Sequence, residues 1–206
     1  MDDKLNHLLE RTLHLFYQYG IRSLSMDDIS RHLAISKKTL YQYVGSKDEL
    51  VKKVMDMQSE KNRGYYESVI TSAGNAIDKL LDASKYLNQQ LRIFNPVMMF
   101  DLHKFHPETV SCHLEEERGY FVEKMRDNLL QGIGEGLFRP GLNVDLVALL
   151  FVSNLAELHR LDEVLASKIT FSDIFQVMFE NYIRGIGTPS GIEYFEKEME
   201  SIDFTM

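Results

Sequence analysis

Apolar residues recur along the chain at the three-to-four-residue spacing of amphipathic helices, and no stretch shows the sustained two-residue alternation of a half-buried strand. Glycine and proline interrupt this pattern. Gly20 ends the first apolar stripe as a predicted left-handed helix cap, and Pro96, Pro107 and Pro140 mark later breaks. The pattern predicts an all-α fold of about nine to ten helices.

Three predicted helices begin within one short stretch, residues 25–50. Ser25, Ser36 and Ser46 each precede a helical run, and a serine hydroxyl accepts a hydrogen bond from a free amide of the first turn. Asp28 and Glu49 follow the first and third serines at the spacing of a capping box. Residues 26–33 and 37–44 are therefore predicted to form two short helices, followed by a long helix from residue 47.

Two short helices joined by a three-residue connection form a helix-turn-helix, whose second helix can enter the major groove of DNA. Lysine can meet phosphates or guanine edges, glutamine can pair with adenine, and threonine and tyrosine hydroxyls suit phosphate oxygens. These residue types form the outward face of the second helix: Lys37, Lys38, Thr39, Gln42 and Tyr43. The alternative is an ordinary corner between two helices, with a solvated polar face.

Three spaced motifs carry a family resemblance: SMDDI at 25–29, ISKKTLY at 35–41 and KDEL at 47–50. Together they resemble the N-terminal domain of the TetR (tetracycline-repressor-like) family, over residues from about 5 to 50. Two positions depart from the pattern of that family. Ala34 stands where a turn glycine is usual, and Val44 stands where phenylalanine is common. An alanine in a left-handed turn costs about 1–2 kcal/mol.

The resemblance implies a three-helix helix-turn-helix DNA-binding domain at residues 1–46 and a larger helical effector-binding and dimerisation domain at residues 47–206. It also implies that the third helix lies in the major groove of a palindromic operator. By position, phosphate contacts would come from Ser25, Thr39, Tyr41, Tyr43 and Lys47. Lys37, Lys38 and Gln42 would lie nearest the bases.

Charge is distributed unevenly along the 206-residue chain, whose net charge is −8. Residues 1–55 carry nine Lys/Arg against seven Asp/Glu, whereas residues 56–206 carry 14 against 24. The acidic part would repel DNA and favour docking through the N-terminal part.

Two apolar segments near the end of the chain, Val144–Leu161 and Phe171–Ile186, predict a dimer interface. Each is a long helical run, and the first is apolar nearly all round in its first half, so we expect burial on two sides. Pairing with the same helices of a second copy would form a four-helix interface. The alternative is that both helices lie inside a monomer core.

A cluster rich in methionine, phenylalanine and histidine predicts a pocket for a small, largely apolar effector, because helical bundles build such cavities with a few polar anchors. The predicted pocket residues are Phe94, Met98, Met99, His103, Tyr120, Phe121, Met125, Phe151 and His159. The alternative is that these side chains simply fill the core.

Other chemistries receive little support from the sequence. His103, His106, Cys112 and His113 lack the paired spacing of a zinc site, so we expect no metal and no cofactor. The glycines at 132, 134 and 136 are not a dinucleotide fingerprint, since their spacing is wrong and no strand precedes them. We therefore do not expect the protein to be an enzyme.

The expected location is the cytoplasm. The acidic, amphipathic start does not resemble a signal peptide, and no apolar run approaches the roughly 20 residues of a membrane span. A single cysteine, Cys112, excludes an internal disulfide and suits a reducing compartment.

These patterns together predict a homodimeric DNA-binding transcriptional regulator, most simply a repressor that a small effector releases from its operator. The alternative is a helical regulator or adaptor that works through protein partners without a small-molecule effector. Such an adaptor would not need the polar face of the second short helix, and salt-sensitive DNA binding would distinguish the two functions.

Overall fold

A computed structural model describes residues 3–93, 96–161 and 171–200; the side chains at 91–93, 96, 112, 114, 157–161, 171 and 172 lie outside that description. The described residues contain ten α-helices, which confirms the predicted all-α fold. Their bounds are α1 Asp3–Tyr19, α2 Met26–His32, α3 Lys37–Tyr43, α4 Lys47–Ile70, α5 Ala76–Ile93, α6 Pro96–Phe105, α7 Pro107–Gly134, α8 Val144–Leu161, α9 Phe171–Ile186 and α10 Pro189–Met199.

The chain forms two compact units. The first contains residues 1–65 and 93–117, so that α6 and the start of α7 lie with the helix-turn-helix. The second contains residues 66–92 and 118–206. Helices α4 and α7 each contribute to both units. The predicted functional boundary between residues 46 and 47 stays a prediction.

The first unit has a hydrophobic core built from one face of each of its helices. Helix α1 contributes Leu9 and Phe16, and α6 contributes Met98 and Leu102. Five further positions that the sequence predicts to be inward are all buried: Leu24, Ile29, Leu33, Leu40 and Val44. This core fixes which faces of α2 and α3 remain outside.

Gly20 ends α1 as the sequence predicts. Its φ of +76° is left-handed, and its amide donates to the Phe16 carbonyl at 2.9 Å. Ile21 follows and is buried against the same core. The chain can therefore turn sharply from α1 into the loop that leads to Ser25.

The second unit has its own core, in which five phenylalanines pack among aliphatic side chains. Phe138 and Phe195 are fully buried, and Phe179 packs near Phe195 with ring centroids 6.1 Å apart. Helices α8 and α9 both contribute, through Phe151, Phe175, Phe179 and Ile183.

Among the residues that the structure describes, nothing covers one face of α8. Leu146 is 54% exposed and Leu150 is 62% exposed, and on α9 Val177 is 61% exposed. The sequence predicts burial of α8 on two sides; the described residues bury one side, and burial of the other stays a prediction.

Candidate nucleic-acid interface

Helix α2 begins with a complete capping box. The Asp28 amide donates to the Ser25 hydroxyl at 3.2 Å, and the Ser25 amide donates to the Asp28 carboxylate at 3.0 Å. Hydrogen bonds from Ser25 hold the pKa of Asp28 below its ordinary value. The start of α2, where the family resemblance implies a phosphate contact, is thus held in one conformation.

The turn between α2 and α3 is a Schellman motif. The Ile35 amide donates to the Ser30 carbonyl at 3.0 Å, and the Ala34 amide donates to the Arg31 carbonyl at 3.1 Å. Ala34 has φ +57°, so alanine occupies the left-handed position where the resemblance leads one to expect glycine.

Arg11 reinforces this turn from α1. Its guanidinium donates to the carbonyls of Leu33 and His32, each at 3.0 Å, and so satisfies acceptors that the end of α2 leaves open. This long-range cap, 21 and 22 residues distant in sequence, fixes the angle at which α3 leaves the turn.

Helix α3 presents two unengaged polar side chains. Leu40 is fully buried, whereas Lys38 and Gln42 are exposed. Neither of these two makes a hydrogen bond or ion pair to any residue that the structure describes. Ser36 caps the helix by accepting from the Thr39 amide at 3.0 Å, and the two hydroxyls also bond to each other at 2.7 Å.

Lys37, in contrast, has a partner within the chain. Its ammonium lies 2.9 Å from the Asp27 carboxylate, across the helix-turn-helix, and this hydrogen-bonded pairing raises the pKa of Lys37. Both side chains are more than half exposed, so DNA phosphates could compete for the lysine. The sequence pattern gives no sign of this pair.

Lys47 holds the loop between α1 and α2. Its ammonium donates to the carbonyls of Ile21 at 2.7 Å and Leu24 at 2.5 Å. Burial lowers the pKa of Lys47, while the negative charge of Asp101 acts in the opposite direction. The predicted phosphate contact of Lys47 remains a prediction, and the structure adds a tethering role.

The capping of α4 differs slightly from the expected box. The Glu49 amide donates to the Ser46 hydroxyl at 3.1 Å as expected. The Glu49 carboxylate, however, accepts from the Gly45 amide at 2.7 Å, one residue before the cap. This contact orders the connection between α3 and α4.

Tyr41 and Tyr43 lie near the end of α3. Tyr41 is exposed, and Tyr43 is half-buried with its carbonyl accepting from the Lys53 ammonium at 2.8 Å. Tyr43 and Thr39 also line a groove of about 230 Å3 whose other walls include Lys4 and Arg11 of α1. Sequence reasoning did not single out these α1 cations, because only the tertiary structure brings them beside α3.

The predicted effector residues divide between the two units. In the first unit Met98 is buried in the core, Met99 packs against it and His103 is exposed. In the second unit Tyr120, Phe121, Met125 and Phe151 are half-buried or buried. Phe94 and the side chain of His159 fall outside the described residues. The pocket stays a prediction.

Two of the four residues considered for a metal site have carboxylate partners instead. His106 lies 3.0 Å from Asp48, and His113 lies 2.9 Å from Asp56. The first pair links α4 to the residue just before α7, and the second pair links α4 to the N-terminal part of α7.

This arrangement defines a helix-turn-helix DNA-binding protein. The family model described as "Bacterial regulatory proteins, tetR family" matches residues 8–54. The chain is similar to the HTH-type transcriptional repressor KstR2 of Mycolicibacterium smegmatis, with 26% identity over 151 residues, 69% of this chain and 71% of the relative. It is also similar to the uncharacterised HTH-type transcriptional regulator YvaF of Bacillus subtilis, with 24% identity over 186 residues, 87% of this chain and 93% of the relative.

Among solved structures, a transcriptional regulator from Cytophaga hutchinsonii has a TM-score of 0.74 at 20% identity, covering 91% of this chain and all of the other. Residues 8–54 thus match the DNA-binding domain of the TetR family, and the curated relatives that the chain resembles are transcriptional regulators rather than enzymes. In the described ranges no helix is long and apolar enough to cross a membrane.

Proposed function

We propose that the chain is a repressor that places α3 in the major groove of a palindromic operator. Lys38 and Gln42, joined by Lys37 when it leaves Asp27, would read base edges. Hydroxyls and the remaining lysine would meet phosphates on either side: Ser25, Thr39, Tyr41, Tyr43 and Lys47. The observation that carries this proposal is the exposure of Lys38 and Gln42 without a partner in the described part of the chain.

The proposal includes a two-fold dimer formed through Val144–Leu161 and Phe171–Ile186. The exposed leucines of α8 and Val177 of α9 support it, since pairing would remove them from water. A two-fold axis would also set two copies of α3 about one DNA turn apart, which is the spacing that a palindrome requires.

We further propose that a small, largely apolar effector releases the repressor in the cytoplasm. Helix α4 supports this step, because it runs without a break from Lys47 to Ile70 and contributes to both units. A ligand that favours one orientation of α4 would shift the population of dimers away from the spacing that fits DNA.

DNA selection from a random library, followed by anisotropy titration, tests the DNA-binding part. Lys38→Ala and Gln42→Ala should each lose about 1–3 kcal/mol on the selected duplex and little on a scrambled one, because base contacts carry the sequence preference. Glu115→Gln, on an exposed face of α7, is the control variant. Equal losses on both duplexes would remove the base-reading assignment, and no salt-sensitive binding at all would favour the protein-adaptor alternative.

Effector release is tested separately. Steroids, and fatty acids of increasing chain length, are screened because both are small and largely apolar. A rise in melting temperature indicates binding, since a ligand that binds the folded state stabilises it. Each compound that raises the melting temperature is then titrated into the complex with the selected duplex. A compound that binds at saturation and leaves DNA affinity unchanged would contradict release by that compound class.

A further inference from the structure

The loop between α1 and α2, residues 20–25, is held at three backbone groups by two oppositely charged side chains. From α4, the Lys47 ammonium donates to the Ile21 and Leu24 carbonyls. From α6, the Asp101 carboxylate accepts from the Arg22 amide at 2.8 Å. The last residue of this loop, Ser25, is the N-cap of α2.

The contact with α6 is closely fitted. A Cβ atom at Gly20 would lie 3.1 Å from the Asp101 carboxylate and 3.1 Å from the Val97 side chain, so a larger residue would require these α6 side chains to shift. The Arg22 guanidinium also stands over the Phe105 ring, 4.4 Å from its centroid. Helix α6 thus contacts both the backbone amide and the side chain of Arg22.

Asp101 is an unusual residue to find in this position. It is 6% exposed on a helix whose neighbouring inward residues, Met98 and Leu102, are apolar core residues. A buried carboxylate is costly unless hydrogen bonds and opposite charge compensate it, and here the Arg22 amide and the nearby Lys47 ammonium provide both. An apolar residue at this position could not accept the hydrogen bond that the Arg22 amide donates.

We propose that Asp101 is a positioning residue for DNA binding. By holding the Arg22 amide it fixes loop 20–25, and through that loop it sets where Ser25 and the first-turn amides of α2 meet a phosphate. This inference rests on the proposed function, because it assigns the start of α2 to the DNA surface. It adds a residue of α6, 79 positions from the loop in sequence, to the determinants of DNA affinity.

The test compares Asp101→Ala with Asp101→Asn in the full chain. Alanine removes the acceptor, so binding to both the selected and the scrambled duplex should weaken about tenfold, equivalent to about 1.4 kcal/mol. The salt dependence of log Kd should flatten by about 0.9, the slope carried by one phosphate contact. Asparagine keeps an oxygen acceptor and should stay within about threefold of the wild-type affinity, which is about 0.65 kcal/mol.

Hydrogen exchange supplies a second readout. Amides of residues 20–25 should exchange about tenfold faster in Asp101→Ala without DNA, and close to the wild-type rate in Asp101→Asn. Glu117→Ala is the matched control, because it removes a half-buried carboxylate of the same unit that pairs with Arg63 at 2.7 Å. That variant should lose stability without changing exchange in residues 20–25 or the salt slope.

Several results would overturn the proposal. One is a folded Asp101→Ala variant with wild-type affinity and salt slope, and another is equal weakening in Asp101→Ala and Glu117→Ala. If Asp101→Ala does not fold, Asp101→Glu replaces it; the longer side chain displaces the carboxylate against Gly20, and the same losses are expected. Failure of the wild-type protein to bind any duplex would instead contradict the proposed function.

Discussion

Ala34 carries backbone strain at the centre of the helix-turn-helix. Its φ of +57° lies in the left-handed region, and among the residues that the structure describes it is the only non-glycine with a positive φ. An L side chain in this region costs about 1–2 kcal/mol relative to the right-handed conformation. The two hydrogen bonds of the Schellman turn and the Arg11 cap keep the alanine there.

Ala34→Gly should therefore raise the free energy of unfolding by about 1 kcal/mol, because glycine removes the strain and only part of the gain is lost to greater freedom of the unfolded chain. Urea denaturation with an unchanged slope is the measurement. Ala83→Gly, in the interior of α5, is the matched control and should lower stability by about 1 kcal/mol. A loss of stability in both variants would contradict the strain at Ala34.

Asp28 makes the start of α2 sensitive to acid. Its pKa is lowered by the hydrogen bonds from Ser25, so the carboxylate contributes stability that is present above the unfolded pKa of about 3.9 and is lost as pH falls through the lower folded pKa. In Asp28→Asn the stability of the first unit should fall less steeply between pH 5 and 2. Ser25→Ala should flatten the same curve because it removes the main cause of the shift. Thermal melts across this pH range measure it, and an unchanged slope in both variants would contradict the assignment.

At the scale of the helix, the sequence predicts whatever depends on neighbours within about four positions. Apolar spacing gives the inward faces of α1 to α4, and the serines give the helix starts, since caps and stripes are local. It does not predict the partners of charged groups. Lys47 reaches carbonyls 23 and 26 residues away, and Asp101 reaches an amide 79 residues away, because the packing of helices decides which groups meet.

The same limit applies to α3. Spacing correctly indicates that Lys37 and Lys38 point outward, but it cannot distinguish between them. In the structure Asp27 neutralises Lys37 and nothing in the described chain neutralises Lys38. The two lysines should therefore contribute unequally to DNA binding.

Asp27→Asn should strengthen binding to scrambled duplex by about two- to fivefold at low salt, because it releases Lys37 and removes a negative charge from the DNA-facing surface. Lys37→Ala should then weaken binding more in the Asp27→Asn background than in the wild type. Anisotropy titrations of the four proteins form the double-mutant cycle. Glu193→Gln, at an exposed acidic residue of α10 in the second unit, is the charge-matched control. Additive effects of the two substitutions would show that the pair does not limit Lys37.

At the scale of the whole molecule, the sequence indicates that α8 and α9 are unusually apolar, and the structure identifies which of their described side chains remain uncovered. Hydrophobicity alone cannot separate a dimer interface from a monomer core. The burial of Phe151, Phe175 and Phe179 within the chain assigns one face of these helices to the core, which leaves Leu146, Leu150 and Val177 on the other. For the predicted effector pocket the structure does not distinguish pocket residues from core residues in this way, because the predicted residues are divided between the two units.

Leu150→Glu should convert the proposed dimer to a monomer, because a carboxylate at a position 62% exposed in the single chain leaves the fold intact but would be buried and unpaired in the interface. Light scattering at micromolar concentration should then give the mass of one chain, about 23.9 kDa, where the wild type gives twice that mass. Affinity for a palindromic duplex should fall by more than affinity for a half-site, since only a dimer engages both halves at once. Leu130→Glu is the matched control: it is 52% exposed on α7, outside the proposed interface, and should remain dimeric. A wild-type mass of one chain, or a dimer that survives Leu150→Glu, would mean that the uncovered face of α8 serves another purpose.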